Sequence, residues 1–278
     1  MGNIAQTAAL LGIAYVSFFL LERALPLRRH KARLLPRLLV NTAISLTAFA
    51  AAALLVQPAA SAMLGYTEGR GFGVIPLLGL HGAAKFVAAF LLLDLTFYYW
   101  HVANHRIPVL WRFHNVHHID PDLDVSTAFR FHFVEVGLSA GFRAAQVLIL
   151  GPSLATYVAY ETVFVLATLF HHSSIRLPVF AERALNLVVV TPRMHGIHHS
   201  DIREESLSDF GVVFSWWDRL HRTLRIDVPQ AQVNIGIPAY MNPEDNGLLR
   251  SLLMPFAAQR DYWRGRLVRE PLGSKRYV

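Results

Sequence analysis

Five long apolar runs limit what this chain can fold into. They cover residues 4–21, 38–56, 80–100, 133–150 and 153–170, and each is about as long as a bilayer-spanning helix. Because the bilayer core offers no water to the backbone, such runs can cross it only as helices. We therefore expect an all-α integral membrane protein with about four to five transmembrane helices. The last two runs could also enter the bilayer and return without crossing it.

The composition agrees with a membrane protein. Hydrophobic residues form 54% of the 278 residues and charged residues only 16%, with a mean hydropathy of +0.36. A soluble domain carries about a quarter charged residues, so the surplus apolar surface requires lipid. The net charge of +7 comes from basic residues beside apolar runs, which favours contact with anionic headgroups and argues against nucleic-acid binding. The absence of cysteine excludes disulfides, thiolate metal sites and iron–sulfur clusters.

The distribution of basic residues predicts the orientation in the membrane. Residues 22–37 contain six Lys or Arg, whereas residues 58–79 contain only Arg70. Because basic loops stay on the cytoplasmic side, the loop after the first run is predicted to be cytoplasmic. Following the chain from there, residues 101–132 and the chain beyond the fifth run are cytoplasmic too.

A pattern of three histidines, H-x-x-H-H, occurs twice. Its members are His114, His117, His118, His195, His198 and His199. With 14 histidines in 278 residues, chance would give about 0.03 copies per chain. The spacing i, i+3, i+4 places each triple on one side of a helix. Since neutral imidazole is the commonest metal ligand, the repeat predicts metal binding rather than packing.

Four further histidines could complete the metal shell. His101 and His105 are four residues apart at the end of the third run, hence on one helix face. His132 precedes the fourth run and His172 follows the fifth. The ten candidate ligands exceed what one tetrahedral ion can use, so the sequence predicts two ions.

Asp94 lies seven residues before His101, on the same helix face and inside an apolar run. A carboxylate at that depth is costly and is therefore a functional candidate. We expect it to assist catalysis by accepting the spare N–H of a ligating imidazole. The alternative is a structural carboxylate that pairs with Lys85 or with another span. Other acidic residues that could offset the charge of the ions are Asp120, Asp122, Asp124, Glu135, Asp201 and Asp209.

The choice of metal rests on what the chain lacks and on its setting. It has neither the Glu-x-x-His pair of carboxylate di-iron bundles nor the H-E-x-x-H motif of zinc proteases. Imidazole alone suits zinc, copper, iron and nickel. A lipid substrate offers C–H bonds, and their oxidation requires a redox-active metal and dioxygen, which favours two iron ions. A zinc-dependent membrane hydrolase and a histidine-rich metal transport or storage protein remain alternatives.

The motifs around these histidines resemble those of the sterol desaturase and fatty acid hydroxylase superfamily. The resemblance covers roughly residues 90–225. It includes D-L-T-F-Y-Y-W-H at 94–101, L-W-R-F-H-N-V-H-H at 110–118, R-F-H at 130–132, T-P at 191–192 before the second triple, and W-D-R-L at 217–220. Two departures are Val102, where the family usually has arginine, and Asp209-Phe210-Gly211, where Asn-Tyr-Gly is usual.

The resemblance implies a membrane di-iron oxygenase that uses dioxygen and external electrons to hydroxylate or desaturate a lipid. Its ligand positions carry over to His101, His105 and both triples, with His132 and His172 as additions. Because the chain has no flavin or nicotinamide fingerprint, the electrons would come from a separate reductase, ferredoxin or cytochrome. The identity of the lipid and the oligomeric state are not predicted.

We predict a single membrane domain over residues 1–278. It comprises N-terminal spans in residues 1–79, a catalytic region in residues 80–225 and a cytoplasmic tail in residues 226–278. A cytoplasmic helical cap is expected to hold the histidine-rich di-metal site. The compact chain is typical of a bacterial enzyme, so we expect it in the inner membrane.

Overall fold

Five stretches of the described chain are long and apolar enough to cross a membrane. The computed structural model describes residues 2–264. The five stretches are Ala5–Ala24, Leu34–Leu77, Gly82–Arg106, Phe133–Leu150 and Leu154–His172. The predicted all-α membrane fold is confirmed.

The described helices follow one another with short connections. In chain order they are α1 (Gly2–Ala24), α2 (Leu34–Ala51), α3 (Gln57–Arg70), α4 (Val74–Leu77), α5 (Gly82–Arg106), α6 (Pro108–His118), α7 (Phe133–Leu150), α8 (Leu154–His172), α9 (Val179–Asn186), α10 (Pro192–His198), α11 (Arg203–Ser206), α12 (Trp216–His221) and α13 (Leu248–Leu253). Within residues 2–264, β structure is limited to three isolated bridges.

The second apolar stretch is longer than the sequence predicts. The expected end after residue 56, just before Pro58, is wrong, because α2 continues through a π-helical turn at Ala52–Val56 directly into α3. Proline lacks an N–H and its ring crowds the preceding turn, and a π turn gives it room. The continuous helix is roughly 55 Å long at about 1.5 Å per residue, well beyond the roughly 30 Å hydrocarbon core.

Helices α7 and α8 form a hairpin around Gly151. Gly151 ends α7 in the left-handed region, with φ 62°. The turn packs against Gly73, whose φ is 121°, so closely that a Cβ on Gly73 would lie 2.6 Å from the backbone N of Gly151. Only glycine permits both the backbone angle and this approach.

The short helices α6 and α10 carry the two histidine triples and pack against the long helices. Each begins with proline, at Pro108 and Pro192, which suits the first turn of a helix. Thr191 occupies the position before α10, but its hydroxyl makes no capping hydrogen bond. The proline therefore defines the start of α10.

A buried ionic network ties the start of α2 to the segment between α6 and α7. Arg37 donates to Asp120 and to Asp124, both at 2.6 Å, and both carboxylates are fully buried. Burial, the largest single effect, would raise the pKa of each carboxyl, but the charge and hydrogen bonds of Arg37, together with Arg130 at Asp120 and with Ser126 and Arg23 at Asp124, lower the pKa of both below the ordinary range. Thr127 also donates to Asp120, at 2.9 Å. This network fixes the segment that follows the first triple.

The division of the chain into three regions and its cytoplasmic placement stay predictions. The described part of the predicted tail is mostly loop, with the short helix α13 and several 3₁₀ turns. Residues 265–278, the end of that tail, lie outside the described residues.

Candidate metal centre

Nine of the ten predicted histidines gather in two adjacent groups. The five-histidine group contains His101, His105, His114, His118 and His198, and the four-histidine group contains His117, His172, His195 and His199. Within each group the ligand nitrogens all lie within 4.8 Å of one another, and all nine residues are buried. Helices α5, α6, α8 and α10 supply them, with His199 directly after α10.

Each H-x-x-H-H triple is divided between the two groups. The members at i and i+4 join one group and the member at i+3 joins the other, because successive helical residues point about 100° apart. His114 and His118 belong to the five-histidine group and His195 and His199 to the four-histidine group, whereas His117 and His198 cross over. The rings of His118 and His199 stack with their centroids 4.2 Å apart, so the two groups are in direct contact.

The ring nitrogens of each group point toward a common centre. Nε2 of His118 lies 3.2 Å from Nε2 of His114. In the four-histidine group, Nε2 of His172 lies 3.1 Å from Nε2 of His117 and 3.0 Å from Nε2 of His195. Imidazoles bound at about 2.1 Å to one ion, at right angles, would have nitrogens about 3.0 Å apart. The donor set therefore fits a metal ion in each group.

Several of these buried nitrogens have no hydrogen-bond partner in the described chain. They include both ring nitrogens of His105 and Nε2 of His198. An unpaired buried polar group carries its full desolvation cost. A coordinated metal ion would supply the missing partner.

Hydrogen bonds from Nδ1 set which nitrogen faces the centre. The three pairs are His101 with the carbonyl of Phe210 at 2.8 Å, His198 with that of Ser208 at 2.7 Å and His172 with that of Thr168 at 2.8 Å. An imidazole that donates from Nδ1 keeps its lone pair on Nε2. These three imidazoles are thereby held in the tautomer that leaves Nε2 free to bind a metal.

Three of the grouped histidines outside the spanning helices are kept neutral by their surroundings. Burial lowers the pKa of His118, His195 and His199 well below the ordinary value, and neighbouring imidazoles lower it further. A neutral imidazole retains the lone pair that coordination needs.

His132 is the predicted ligand that lies outside both groups. Its Nδ1 accepts the N–H of Val134 at 3.1 Å, which caps α7, and its Nε2 donates to the carbonyl of Leu252 at 3.1 Å. Both ring nitrogens are thus committed to the backbone, and no lone pair remains for a metal.

Asp94 is buried, but its observed hydrogen-bond partners are not imidazoles. Its carboxylate accepts from the indole N–H of Trp217 at 2.7 Å and from the backbone N–H of Phe214 at 3.1 Å. Tyr160 of α8 approaches at 3.4 Å. The expected direct hydrogen bond to a ligand is therefore replaced by bonds to the chain around α12 and to another span.

Three contacts of the site were not assigned from the sequence. Glu135, expected only to offset charge, accepts from Nδ1 of His114 at 2.8 Å. The ring of His171 packs 4.1 Å from that of His195, and its Nδ1 donates to the carbonyl of Val212 at 3.1 Å. Their separation along the chain hides these contacts, although Glu135 lies in the stretch that carries the family resemblance.

Sequence comparison assigns the chain to a family. The sequence model described as fatty acid hydroxylase matches residues 86–223, a range that contains all nine grouped histidines. The match covers 138 of the chain's 278 residues and includes every motif that carries the resemblance. The predicted membership of the wider sterol desaturase superfamily is confirmed.

Curated relatives of this chain are lipid hydroxylases and monooxygenases. Ornithine lipid hydroxylase OlsE of Rhizobium tropici is 27% identical over 63% of this chain and 51% of its own length. Alkylglycerol monooxygenase of Homo sapiens is 26% identical over 50% of this chain and 30% of its own length. Cholesterol 25-hydroxylase of Homo sapiens is 29% identical over 49% of each. The chain thus spans about half or less of these relatives, and no solved structure matches it.

Proposed function

We propose that this protein is a membrane-bound oxygenase that uses dioxygen to oxidise a C–H bond of a membrane lipid. The observation that carries the proposal is the pair of buried groups of five and four histidines, whose ring nitrogens converge within each group. Lipid-oxidising relatives of the same family support it. A transport site would be expected to place its ligands deep within several spans, whereas six of these nine come from the short helices α6 and α10 and their ends.

The proposed cofactor is a pair of iron ions. The ligands would be His101, His105, His114, His118 and His198 for one ion and His117, His172, His195 and His199 for the other. When bound, the two ions would supply the redox chemistry that reduces dioxygen and opens an unactivated C–H bond. Hydroxylation balances as one substrate C–H, one O₂, two electrons and two protons giving one alcohol and one water. Desaturation needs the same electrons and protons and gives an alkene and two waters.

The protein's part is to hold the imidazoles rigidly in a dry environment. The ring of His117 stacks on Phe131 at 4.4 Å, and that of His105 packs 4.9 Å from Trp111. Phe210 lies 5.7 Å from His101 and covers the five-histidine group. Aromatic walls exclude water from the ligands, which strengthens their electrostatic interactions and protects a reactive oxidant.

The substrate, the electron donor and the membrane side belong to the same proposal. A membrane lipid would reach the site from the bilayer. A separate reductase, ferredoxin or cytochrome would dock on the basic cytoplasmic face, and the membrane would be a bacterial inner membrane. Basic residues of the 22–37 loop lie beside the site, since Arg23 donates to Asp124 at 2.7 Å and Arg28 donates to the carbonyl of Pro192 at 3.4 Å.

The test compares the lipids of cells that express the protein with those of cells that express variants. Extracts are analysed by mass spectrometry, where hydroxylation adds one oxygen and desaturation removes two hydrogens. We expect a new oxidised lipid with the wild-type protein and none with His117→Ala or His198→Ala. His81→Ala, an exposed histidine outside both groups, is the control and should keep the product.

Metal analysis of active protein in lipid separates the alternatives. About two irons per chain are expected. Stoichiometric zinc with hydrolytic turnover would instead indicate the hydrolase, and metal movement without lipid oxidation would indicate the transporter.

A further inference from the structure

One short backbone segment contacts three of the site's imidazoles. The carbonyls of Ser208, Phe210 and Val212, at alternate positions, accept hydrogen bonds from Nδ1 of His198, His101 and His171 at 2.7, 2.8 and 3.1 Å. His101 and His198 both belong to the five-histidine group and come from α5 and α10. The orientation of two ligands from different helices therefore depends on where this segment lies.

Asp218 of α12 holds the segment in place. Its Oδ1 accepts the N–H of Phe210 and its Oδ2 accepts the N–H of Gly211, each at 2.8 Å. Thr223 donates its hydroxyl to the same carboxylate at 2.7 Å. Asp218 is fully buried. Consecutive N–H groups bound to one carboxylate fix the peptide between them, and that peptide includes the Phe210 carbonyl.

The path of the segment leaves little freedom around this contact. A Cβ on Gly211 would lie 2.7 Å from Oδ2 of Asp218 and 2.8 Å from the carbonyl oxygen of Phe214. Asp209 has φ 54°, an unfavourable angle for a residue with a side chain. Such a conformation persists only where its surroundings enforce it.

A second carboxylate anchors the other end of the segment to α5. Asp94 accepts the N–H of Phe214 at 3.1 Å, while His101, seven residues further along α5, donates to the carbonyl of Phe210. The two contacts are about 10 Å apart along the helix at about 1.5 Å per residue. The segment and α5 are thereby held together at two points on either side of Gly211.

We propose that Asp218 is a positioning residue for the five-histidine group. By binding the N–H groups of Phe210 and Gly211, it sets the Phe210 carbonyl that keeps His101 in the Nδ1–H tautomer, and it fixes the segment whose Ser208 carbonyl does the same for His198, so that Nε2 of both is free for metal. The four-histidine group makes no direct hydrogen bond to residues 208–214, and the segment reaches it through the packing of His171 against His195, away from the peptides that Asp218 binds. This inference rests on the proposed function, since it assumes that both groups bind metal.

The test measures metal affinity rather than turnover. Full-length protein in lipid nanodiscs is stripped of metal and titrated with ferrous iron without oxygen, in competition with a chelator. Wild-type protein should bind two ions. Asp218→Asn keeps the shape but places an amide NH₂ against an N–H or hydroxyl donor, so we expect a 10- to 100-fold weaker affinity for one ion and an unchanged affinity for the other.

Spectroscopy identifies which ion is affected. In Mössbauer spectra of ⁵⁷Fe protein, the signal weakened by Asp218→Asn should be the one lost in His101→Ala and not the one lost in His172→Ala. Asp245→Asn, which removes a buried carboxylate bonded to Arg260 far along the chain, should bind both ions normally. Thr223→Val should lower the affinity for the same ion as Asp218→Asn, by a smaller factor. If Asp218→Asn does not fold, Thr223→Val provides the test instead.

Each result has a definite meaning. Wild-type affinity for both ions in a folded Asp218→Asn protein, or equal loss of both ions, would overturn the positioning role alone. Unchanged affinity in Thr223→Val would do so if Asp218→Asn fails to fold. A wild-type protein that binds no iron would overturn this role together with the proposed function.

Discussion

Oε1 of Glu135 lies 2.8 Å from Nδ1 of His114, although the two residues belong to different helices, α7 and α6. Both side chains are buried. A carboxylate in this position keeps the imidazole in the Nδ1–H tautomer and makes its other nitrogen a stronger ligand. The spanning hairpin of α7 and α8 is thereby linked to the five-histidine group.

Replacement of Glu135 should weaken metal binding in that group. Glu135→Ala leaves Nδ1 of His114 without an acceptor, and we expect about a 10- to 100-fold lower affinity for one iron ion. Glu135→Gln retains an oxygen acceptor without the charge, so its effect should be smaller. Iron titration against a chelator measures both, and equal effects of the two variants would contradict a role for the charge.

The divided triples predict which ion each histidine variant affects. His195→Ala removes a ligand from the four-histidine group and His198→Ala one from the five-histidine group, although they are three residues apart. Mössbauer spectra should therefore show different signals weakened in the two variants. His195→Ala and His199→Ala should weaken the same signal, and a different result would contradict the grouping.

His132 should prove dispensable for metal. His132→Asn keeps a side chain that can cap α7 and cannot complete the ligand shell from that position. We expect two irons per chain and at most a modest loss of thermal stability. Loss of an iron ion in this variant, at unchanged stability, would return His132 to the ligand set.

The Arg37 network predicts a pH-dependent loss of stability. Arg37→Met leaves the buried Asp120 and Asp124 without their main partner, which should lower the free energy of unfolding by about 3–5 kcal/mol at pH 7. The pKa of both carboxyls is lowered in the folded protein, so their contribution is present above the unfolded pKa and is lost as the pH falls. The difference in the free energy of unfolding between wild type and Arg37→Met should therefore become smaller below about pH 4. Thermal unfolding of both proteins in detergent, measured from pH 7 to below pH 4, tests whether this difference falls as the pH falls.

The close approach of Gly73 and Gly151 predicts a large effect of one methyl group. Gly73→Ala combines a φ of 121° with a contact of 2.6 Å to the backbone of Gly151, so it should destabilise the hairpin by more than about 1 kcal/mol. Gly141→Ala is the control, since nothing lies within 4 Å of the position and it sits inside α7. There alanine should stabilise by roughly 0.5–1 kcal/mol. Thermal unfolding compares the two, and equal effects would contradict the packing.

Local sequence patterns predicted the spans and nine of the histidines that gather, because periodicity and ligand spacing are properties of neighbouring residues. Helix geometry explains why the i+3 member of each triple points away from the i and i+4 members. Which histidines of the other triple it then lies beside depends on how α6 and α10 dock. His132 shows what a local sequence pattern leaves open. Its place before a span suited a ligand, and the competing role as a helix cap became visible only with Leu252 beside it.

Pro58 and Asp94 mark two other limits. Proline usually ends a helix, and the π turn that carries the helix through Pro58 is a response of the backbone without a sequence signal of its own. Asp94 was correctly predicted to lie buried in a span, but its bonds to Phe214 and Trp217 join positions about 120 residues apart. Contacts at such separation follow from the tertiary fold alone.

The division of each histidine triple between the two groups has a consequence for how the protein matures. While the chain is being synthesised, both coordination sets lack members until residues 195–199 have emerged from the ribosome. In the proposed di-iron site, neither ion would have its full set of ligands on a nascent chain, and neither set would be complete before both α6 and α10 have docked. Metal loading would then be a late event that follows membrane insertion of the last hairpin.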